Sequence, residues 1–301
     1  MRILLTNDDG VQQGVTTQGV YELRRALCAA GADVVVVAPW TEQSGRSAAI
    51  TYGSSSTRFT LGTPDLAGYA GDCADAPSGG AVYGACVTAV GGTCTVGSTS
   101  LTPADAVTLG ATAAVQQVHQ WTNGPDLVIS GINSGGNDGQ NVNVSGTVGA
   151  ATIAVSLGYP AIALSTSTSG VAASNYVATA TWAVPFVARL AAERALPADY
   201  VLNVNHPRVD RGRVTQAVWT TVAQNAAFAT TYQAEGLSFR SVYGQCTGGT
   251  YCGAPERGSD SAAYAAGQIA VTPVSVDRTV ADSASLQKAR ALVQSGAFST
   301  R

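Results

Sequence analysis

With 301 residues, 46% of them hydrophobic, the chain is long enough for one large α/β domain with extensions, or for two domains. A formal net charge of −3 and the lack of any basic run argue against a nucleic-acid polymer as partner. No apolar stretch approaches the ~20 residues of a membrane helix, so no membrane partner is expected either. The charged share is only 12%, which makes any acid in an apolar setting conspicuous.

The first element is an apolar run at residues 3–5 that reads as a buried strand and stops at Asn7-Asp8-Asp9-Gly10. Strand neighbours point to opposite faces, so two adjacent acids converge only where the chain has left the strand for a turn, which Gly10 permits. Converging acids at the end of a buried strand are costly unless a cation or a shared proton neutralises them. In a chain this poor in charge, a hard oxygen-seeking cation is the expected answer. Residues 14–30 place Val20, Leu23, Leu27 and Ala30 on one helical face, with Gly31 at the stop. Residues 34–38 are a second buried strand, ended by Pro39, which completes a right-handed parallel βαβ unit. The following segment, WTEQSGRSAAIT at 40–51, leaves the carboxyl end of that strand, where open α/β sheets bind ligands.

Residues 57–100 change character. They are rich in Gly, Ser, Thr and Cys without a helical period, and read as an irregular or hairpin insertion stapled by disulfide. Thr102-Pro103 then caps and starts a helix to about residue 120. A strand at 126–130 leads into an asparagine-rich loop at 131–143, and Ser145-Gly146-Thr147 opens a helix to about 157. A strand at 160–165, a helix at 178–196 containing Pro185, and a strand at 200–205 before His206-Pro207 follow. Beyond lie expected strands at 214–223 and 268–276 and a short helix at 286–294, a tail expected to pack on the first part or on another subunit. The order of elements predicts a Rossmann-like, three-layer α/β core with a mostly parallel sheet over residues 1–56 and 101–205, an insertion at 57–100 and a C-terminal extension at 206–301.

Cys28 falls on the first helix and reads as a small buried apolar residue. Cys246 and Cys252 bracket a short glycine loop and are expected to pair, and Cys73, Cys86 and Cys94 to contain a second pair. No CxxC exists, and His119 and His206 are remote in sequence, which argues against zinc. The composition resembles that of exported proteins. An extracellular protein seen in mature form, without its signal peptide, is therefore expected, with the cytoplasm as the alternative.

Three loops after three buried strands carry the candidate chemistry. The first offers Asn7, Asp8 and Asp9; the second Ser44, Gly45, Arg46 and Ser47; the third Asn133, Asn137, Asn141 and Asn143, then Ser145, Gly146 and Thr147. Carboxylate, amide and hydroxyl oxygens suit Mg²⁺ or Mn²⁺, with Ca²⁺ as a further occupant. The helix start at Ser145 has free backbone N–H groups and a glycine that lets an anion approach closely. Taken singly, each feature has an ordinary reading: Asp8-Asp9 or Ser145 as helix caps, the asparagines as turn formers, Arg46 as a solvated charge. Their joint placement favours a divalent cation facing an anion site, which suits phosphate-ester hydrolysis. With neither histidine in these loops, a Ser-His-Asp mechanism has no support, and His206 reads as structural.

The segments NDDG at 7–10, QSGRSAAIT at 43–51, PDLVISGINSGGN at 125–137 and SGTVGAA at 145–151 together resemble the SurE family of metal-dependent survival-protein phosphatases. PAIALS at 160–165, LNVN at 202–205 and VTPVSVDRT at 271–279 extend the resemblance to nearly the whole chain except 57–100 and 230–257. It implies a 5′/3′-nucleotidase acting on nucleoside monophosphates, with metal ligands Asp8, Asp9, Ser44 and Asn133, of which Asp8, Asp9 and Asn133 are the catalytic set. It implies phosphate contacts from the Asn133 loop and from Ser145, Gly146 and Thr147. Asn7, Gly45, Arg46 and Asn137 lie in the same motifs and are expected on the substrate side. It also implies a homodimer or homotetramer built through an exchanged C-terminal arm. A broad acid phosphatase or exopolyphosphatase on the same site is one alternative. A catalytically weak nucleotide-binding homologue is another, because Thr152-Ile153-Ala154 stands where family members often carry an acid.

Overall fold

The computed structural model describes residues 1–279 apart from 13, 15, 168–171, 211–213, 215, 227 and 247–250, together with Gln287 and Arg290. The chain runs through β1 (Arg2–Thr6), α1 (Gln18–Ala29), β2 (Asp33–Pro39), β3 (Thr57–Gly62), β4 (Val82–Ala89), α2 (Pro103–Leu109), β5 (Leu127–Ser134), α3 (Gly146–Ser156), β6 (Ala161–Thr166) and α4 (Ala172–Ala192). It continues through β7 (Tyr200–His206), β8 (Ala217–Trp219), β9 (Phe228–Glu235), β10 (Ser238–Gln245), α5 (Asp260–Ala265) and β11 (Ile269–Ser275). After α2 the helix continues as a wider π-helical stretch over Gly110–Val118. The helix expected at 286–294 falls almost entirely outside the described residues.

Nine strands form one sheet in the order β3-β4-β2-β1-β5-β6-β7-β11-β8. The six from β4 to β7 in that order are parallel, so the mostly parallel α/β sheet is as expected. Alternate residues of each central strand feed two apolar layers. Ile3, Leu5, Val34, Val36 and Ile129 pack with residues of α1 and α4, such as Leu23, Leu27 and Val187. Leu4, Val35, Val37 and Val128 pack with residues of α2, its π-helical extension and α3, such as Val107, Ala111 and Val148. Each of these strands is buried on both faces, which is why it reads as an unbroken apolar run.

Residues 57–100 supply the β3–β4 hairpin, which continues the main sheet: β4 pairs parallel with β2, and β3 pairs antiparallel on its far side. The loop between the two strands is fastened to α1. The buried Arg24 guanidinium donates to the carbonyls of Gly80, Tyr69 and Asp72 at 2.6, 3.1 and 2.9 Å, and Arg25 lies over the Tyr69 ring and pairs with Asp72 at 2.9 Å. Cys28 corrects the expectation drawn from its helical position. It is half-buried at the end of α1 and bonded to Cys73, a partner 45 residues away that no local pattern indicates. The other pairs are Cys86–Cys94 and Cys246–Cys252.

At the other edge β11 runs antiparallel to β7, and β8 adds to β11. The strand expected over 214–223 is confined to Ala217–Trp219. A separate hairpin, β9 with β10, has no counterpart among the expected elements. It stands as its own two-stranded sheet turning at Gly236, with Tyr232, Leu237, Phe239 and Tyr243 exposed.

Cys28–Cys73, which ties α1 to the β3–β4 connection, and Cys86–Cys94, which ties β4 to the segment after it, close loops of different length, with partners 45 and 8 residues apart. In the chain-entropy account, removal of Cys28–Cys73 by double Ser substitution costs about 2–5 kcal/mol, and removal of Cys86–Cys94 costs less. Urea unfolding of the two double variants measures this; equal or reversed losses would contradict it.

Candidate active site

β1 lies between β2 and β5, where the order of strands reverses direction from the starting strand. Leu5 is in register with Val36 and Ile129, and Thr6 with Ser130. The carboxyl ends of the three strands therefore come out together, at the place where open sheets carry ligands. Asn7, Asp8 and Asp9 leave β1 there, all buried. The Asn7 side chain closes the turn on itself: its Nδ2 donates to the Gly10 carbonyl and its Oδ1 accepts the Gly10 N–H, both at 3.1 Å. Gly10 has φ +85°, and a Cβ there would meet the Thr41 backbone at 2.7 Å, so the acidic turn is pressed against the loop after β2.

Both carboxylates are held by donors from elsewhere in the chain. Asp8 Oδ1 accepts from Thr147 Oγ1 at 2.6 Å, and Asp9 Oδ2 accepts the Ser134 N–H at 3.0 Å. A Cβ on Gly146 would lie 2.9 Å from Asp8 Oδ2, so the first turn of α3 rests directly on the acid. Ser145 caps that helix by accepting the Val148 N–H at 3.0 Å. The N–H groups of Gly146 and Thr147 belong to the first turn, which has no intrahelical acceptors for them.

The second loop reaches the acids through its backbone. The Gln43 N–H donates to the Asp8 carbonyl at 2.7 Å, and the Ser47 N–H donates to the Val144 carbonyl at 3.1 Å. Gly149 makes room for this arrangement, since a Cβ there would sit 2.1 Å from the Ser47 carbonyl oxygen. Ser44, Gly45 and Arg46 are exposed at the rim.

β5 runs to Ser134, four residues beyond the expected end, with a bulge between Gly131 and Asn133. That carries Asn133 into a row with Ser165 of β6 and Asn205 of β7. Asn133 donates its Nδ2 to the Gly135 carbonyl at 2.8 Å, which sets the amide orientation and leaves Oδ1 as an acceptor. Asn137 turns inward. Its N–H donates to Asn205 Oδ1 at 2.7 Å, its Nδ2 donates to Ser165 Oγ at 2.9 Å, and its carbonyl accepts from Asn203 Nδ2 at 2.7 Å. Sequence reasoning gives Asn203 and Asn205 no role, although two asparagines alternating with apolar residues in a buried strand are themselves a signal. His206 is buried with its ring bonded to the Pro207 carbonyl, in keeping with a structural role.

Burial pushes Asp8 above the ordinary carboxylate range. Burial first, and the neighbouring Asp8 charge second, push Asp9 up to about 8, with Glu42 adding in the same sense. Among the described residues neither acid has an ion pair. Two buried acids without a counter-charge, set beside amide and hydroxyl oxygens, fit a hard divalent cation.

Fold and site together define a doubly wound α/β protein with three polar loops gathered at the switch point of its sheet. The chain belongs to the SurE family: the family described as Survival protein SurE matches residues 3–228. The 5′-nucleotidase SurE of Geotalea daltonii is 34% identical over 286 residues, covering 93% of this chain and 94% of that protein. The 5′-nucleotidase SurE of Rubrobacter xylanophilus is 34% identical over 301 residues, covering 96% of each. The crystal structure of the SurE protein from Aquifex aeolicus aligns with a TM-score of 0.66 at 25% identity, covering 98% of this chain and all of that one.

The raised carboxyl groups set the sign of a pH effect in metal-free protein. Folded Asp9 keeps its proton up to about 8, whereas the unfolded chain releases it near 3.8. The folded state thus binds the extra proton in that window, and stability falls as pH rises through it. The metal-free melting temperature is expected to drop between about pH 5 and pH 8, with Mn²⁺ restoring more at the higher pH and Asp9→Asn flattening the profile. A flat profile for the unsubstituted metal-free protein would contradict this.

Proposed function

We propose that this chain is a divalent-cation-dependent phosphomonoesterase that hydrolyses nucleoside 5′- or 3′-monophosphates. The observation that carries the reading is the contact between the buried, unpaired Asp8–Asp9 pair and the first turn of α3, where Gly146 abuts Asp8 and Thr147 donates to it. Similarity to proteins named 5′-nucleotidase SurE supports the nucleotide as substrate.

Asp8 and Asp9 would hold Mg²⁺ or Mn²⁺, with Ser44 Oγ and Asn133 Oδ1 completing the oxygen set. When bound, the cation supplies polarisation of a phosphoryl oxygen and acidification of the attacking water. Thr147 donates to one oxygen of Asp8 and the Ser134 N–H to one oxygen of Asp9, which would leave the other oxygen of each acid for the cation. The Gly146 and Thr147 N–H groups receive the phosphate at the positive end of the α3 dipole, with Ser145 holding that turn. Arg46 at the exposed rim adds positive charge on the side from which an anionic substrate enters, and Gly45 lets the loop turn beside it. Asn7 and Asn137 serve the substrate indirectly, by building the loops on which the other groups stand.

Phosphate release from AMP, 3′-AMP, p-nitrophenyl phosphate and polyphosphate, with Mn²⁺ and with EDTA, tests the reading. Nucleotide turnover should need the cation and fall about a thousandfold in Asp8→Ala, equivalent to about 4 kcal/mol of barrier. EDTA-resistant turnover, or full activity of Asp8→Ala, would refute it. Greater turnover of polyphosphate or of p-nitrophenyl phosphate would move the assignment to the broader phosphatase on the same site.

We also propose a homodimer or homotetramer. The separate β9–β10 hairpin presents Tyr232, Leu237, Phe239 and Tyr243 to solvent, an apolar area that a second copy would cover. Light scattering should give a mass of two or four chains that drops when Leu237 and Phe239 are replaced by Ser; a monomeric unsubstituted protein would contradict this.

A further inference from the structure

We infer that Glu42 is a positioning residue for the cation site: its carboxylate locks the turn that presents Ser44. The inference rests on the cation-site reading and concerns a residue to which that reading gives no part.

Three hydrogen bonds define the turn. The Gln43 N–H donates to the Asp8 carbonyl at 2.7 Å. The next N–H, that of Ser44, donates to Glu42 Oε1, also at 2.7 Å. Gln43 Nε2 donates back to the Glu42 carbonyl at 2.7 Å. The turn is thus tied to the acidic loop at one residue and to Glu42 at the next. Ser44 follows directly, before Gly45 reverses the chain at φ +76°. Ser44 is exposed, and no hydrogen bond to its hydroxyl fixes its place among the described residues, so its backbone must do so.

Glu42 has no ion pair among the described residues, so no basic side chain draws its carboxylate away from the Ser44 N–H. Groups that orient a metal ligand without touching the metal commonly govern affinity in this way. The plain alternative is a solvated surface acid closing a turn, which would leave cation binding untouched.

Mn²⁺ titration of the metal-free protein, followed by calorimetry or by the Mn²⁺ paramagnetic resonance signal, separates the two. Glu42→Ala should weaken Mn²⁺ binding by about tenfold or more. Glu42→Gln keeps an acceptor for the Ser44 N–H but loses the charge, and should fall between Ala and the unsubstituted protein. At saturating Mn²⁺ the KM for AMP should stay close to that of the unsubstituted protein, because the phosphate contacts are elsewhere. Mn²⁺ affinity of Glu42→Ala within about twofold of the unsubstituted protein would overturn the inference, as would equal losses in Ala and Gln. Failure of the unsubstituted protein to bind Mn²⁺, or full binding by Asp8→Asn, would overturn the cation-site reading itself and Glu42's part with it.

Discussion

Two adjacent carboxylates buried without a counter-charge are the constraint on which the rest of this site depends. Asp8 and Asp9 sit at the end of the central strand, and burial raises both. A fold does not hold such a pair without something in return. The neighbours of the pair are donors, Thr147 on Asp8 and the Ser134 N–H on Asp9, and the first turn of α3 against Asp8, with no basic side chain paired with either acid among the described residues. We propose that a cation completes the arrangement.

The sheet supplies the convergence. β1 is flanked by β2 and β5 in parallel register, so three loops that are far apart in sequence leave at one level. Closeness is then limited by side-chain bulk, and the chain meets it by removing bulk. Gly10 touches the backbone of the second loop, Gly146 touches Asp8, and Gly149 touches the Ser47 carbonyl. The third loop is held from below by amides, with Asn203 and Asn205 gripping the Asn137 backbone. Rigid support under an asparagine-rich loop is what a preorganised ligand set requires.

Much of this arrangement is legible in the amino-acid sequence. Strands such as 34–38 announce themselves because a parallel strand buried on both faces is apolar at every position. NDDG after such a strand stands out because two adjacent acids at a buried end are costly until something neutralises them. The features that sequence reasoning misses depend on partners that lie far off in the chain. Cys28 has a helical neighbourhood like that of any small apolar residue, and only the fold brings Cys73 to it. Arg24 resembles a surface charge on a helix, yet it is buried against three carbonyls of the β3–β4 connection. The polar motif around Asn137 suggests a substrate contact, whereas its partners on β6 and β7 show that the side chain faces the protein. The β9–β10 hairpin is exposed, so it lacks the buried periodicity by which strands are recognised.

The central claim is that Asp8, Asp9, Ser44 and Asn133 surround one divalent cation. Anomalous diffraction from crystals grown with Mn²⁺ tests it most directly. A single peak is expected with oxygens of Asp8, Asp9 and Asn133 and the Ser44 hydroxyl at about 2.0–2.6 Å. A map with no peak between the two acids at saturating Mn²⁺, or with its strongest peak away from them, would contradict the account.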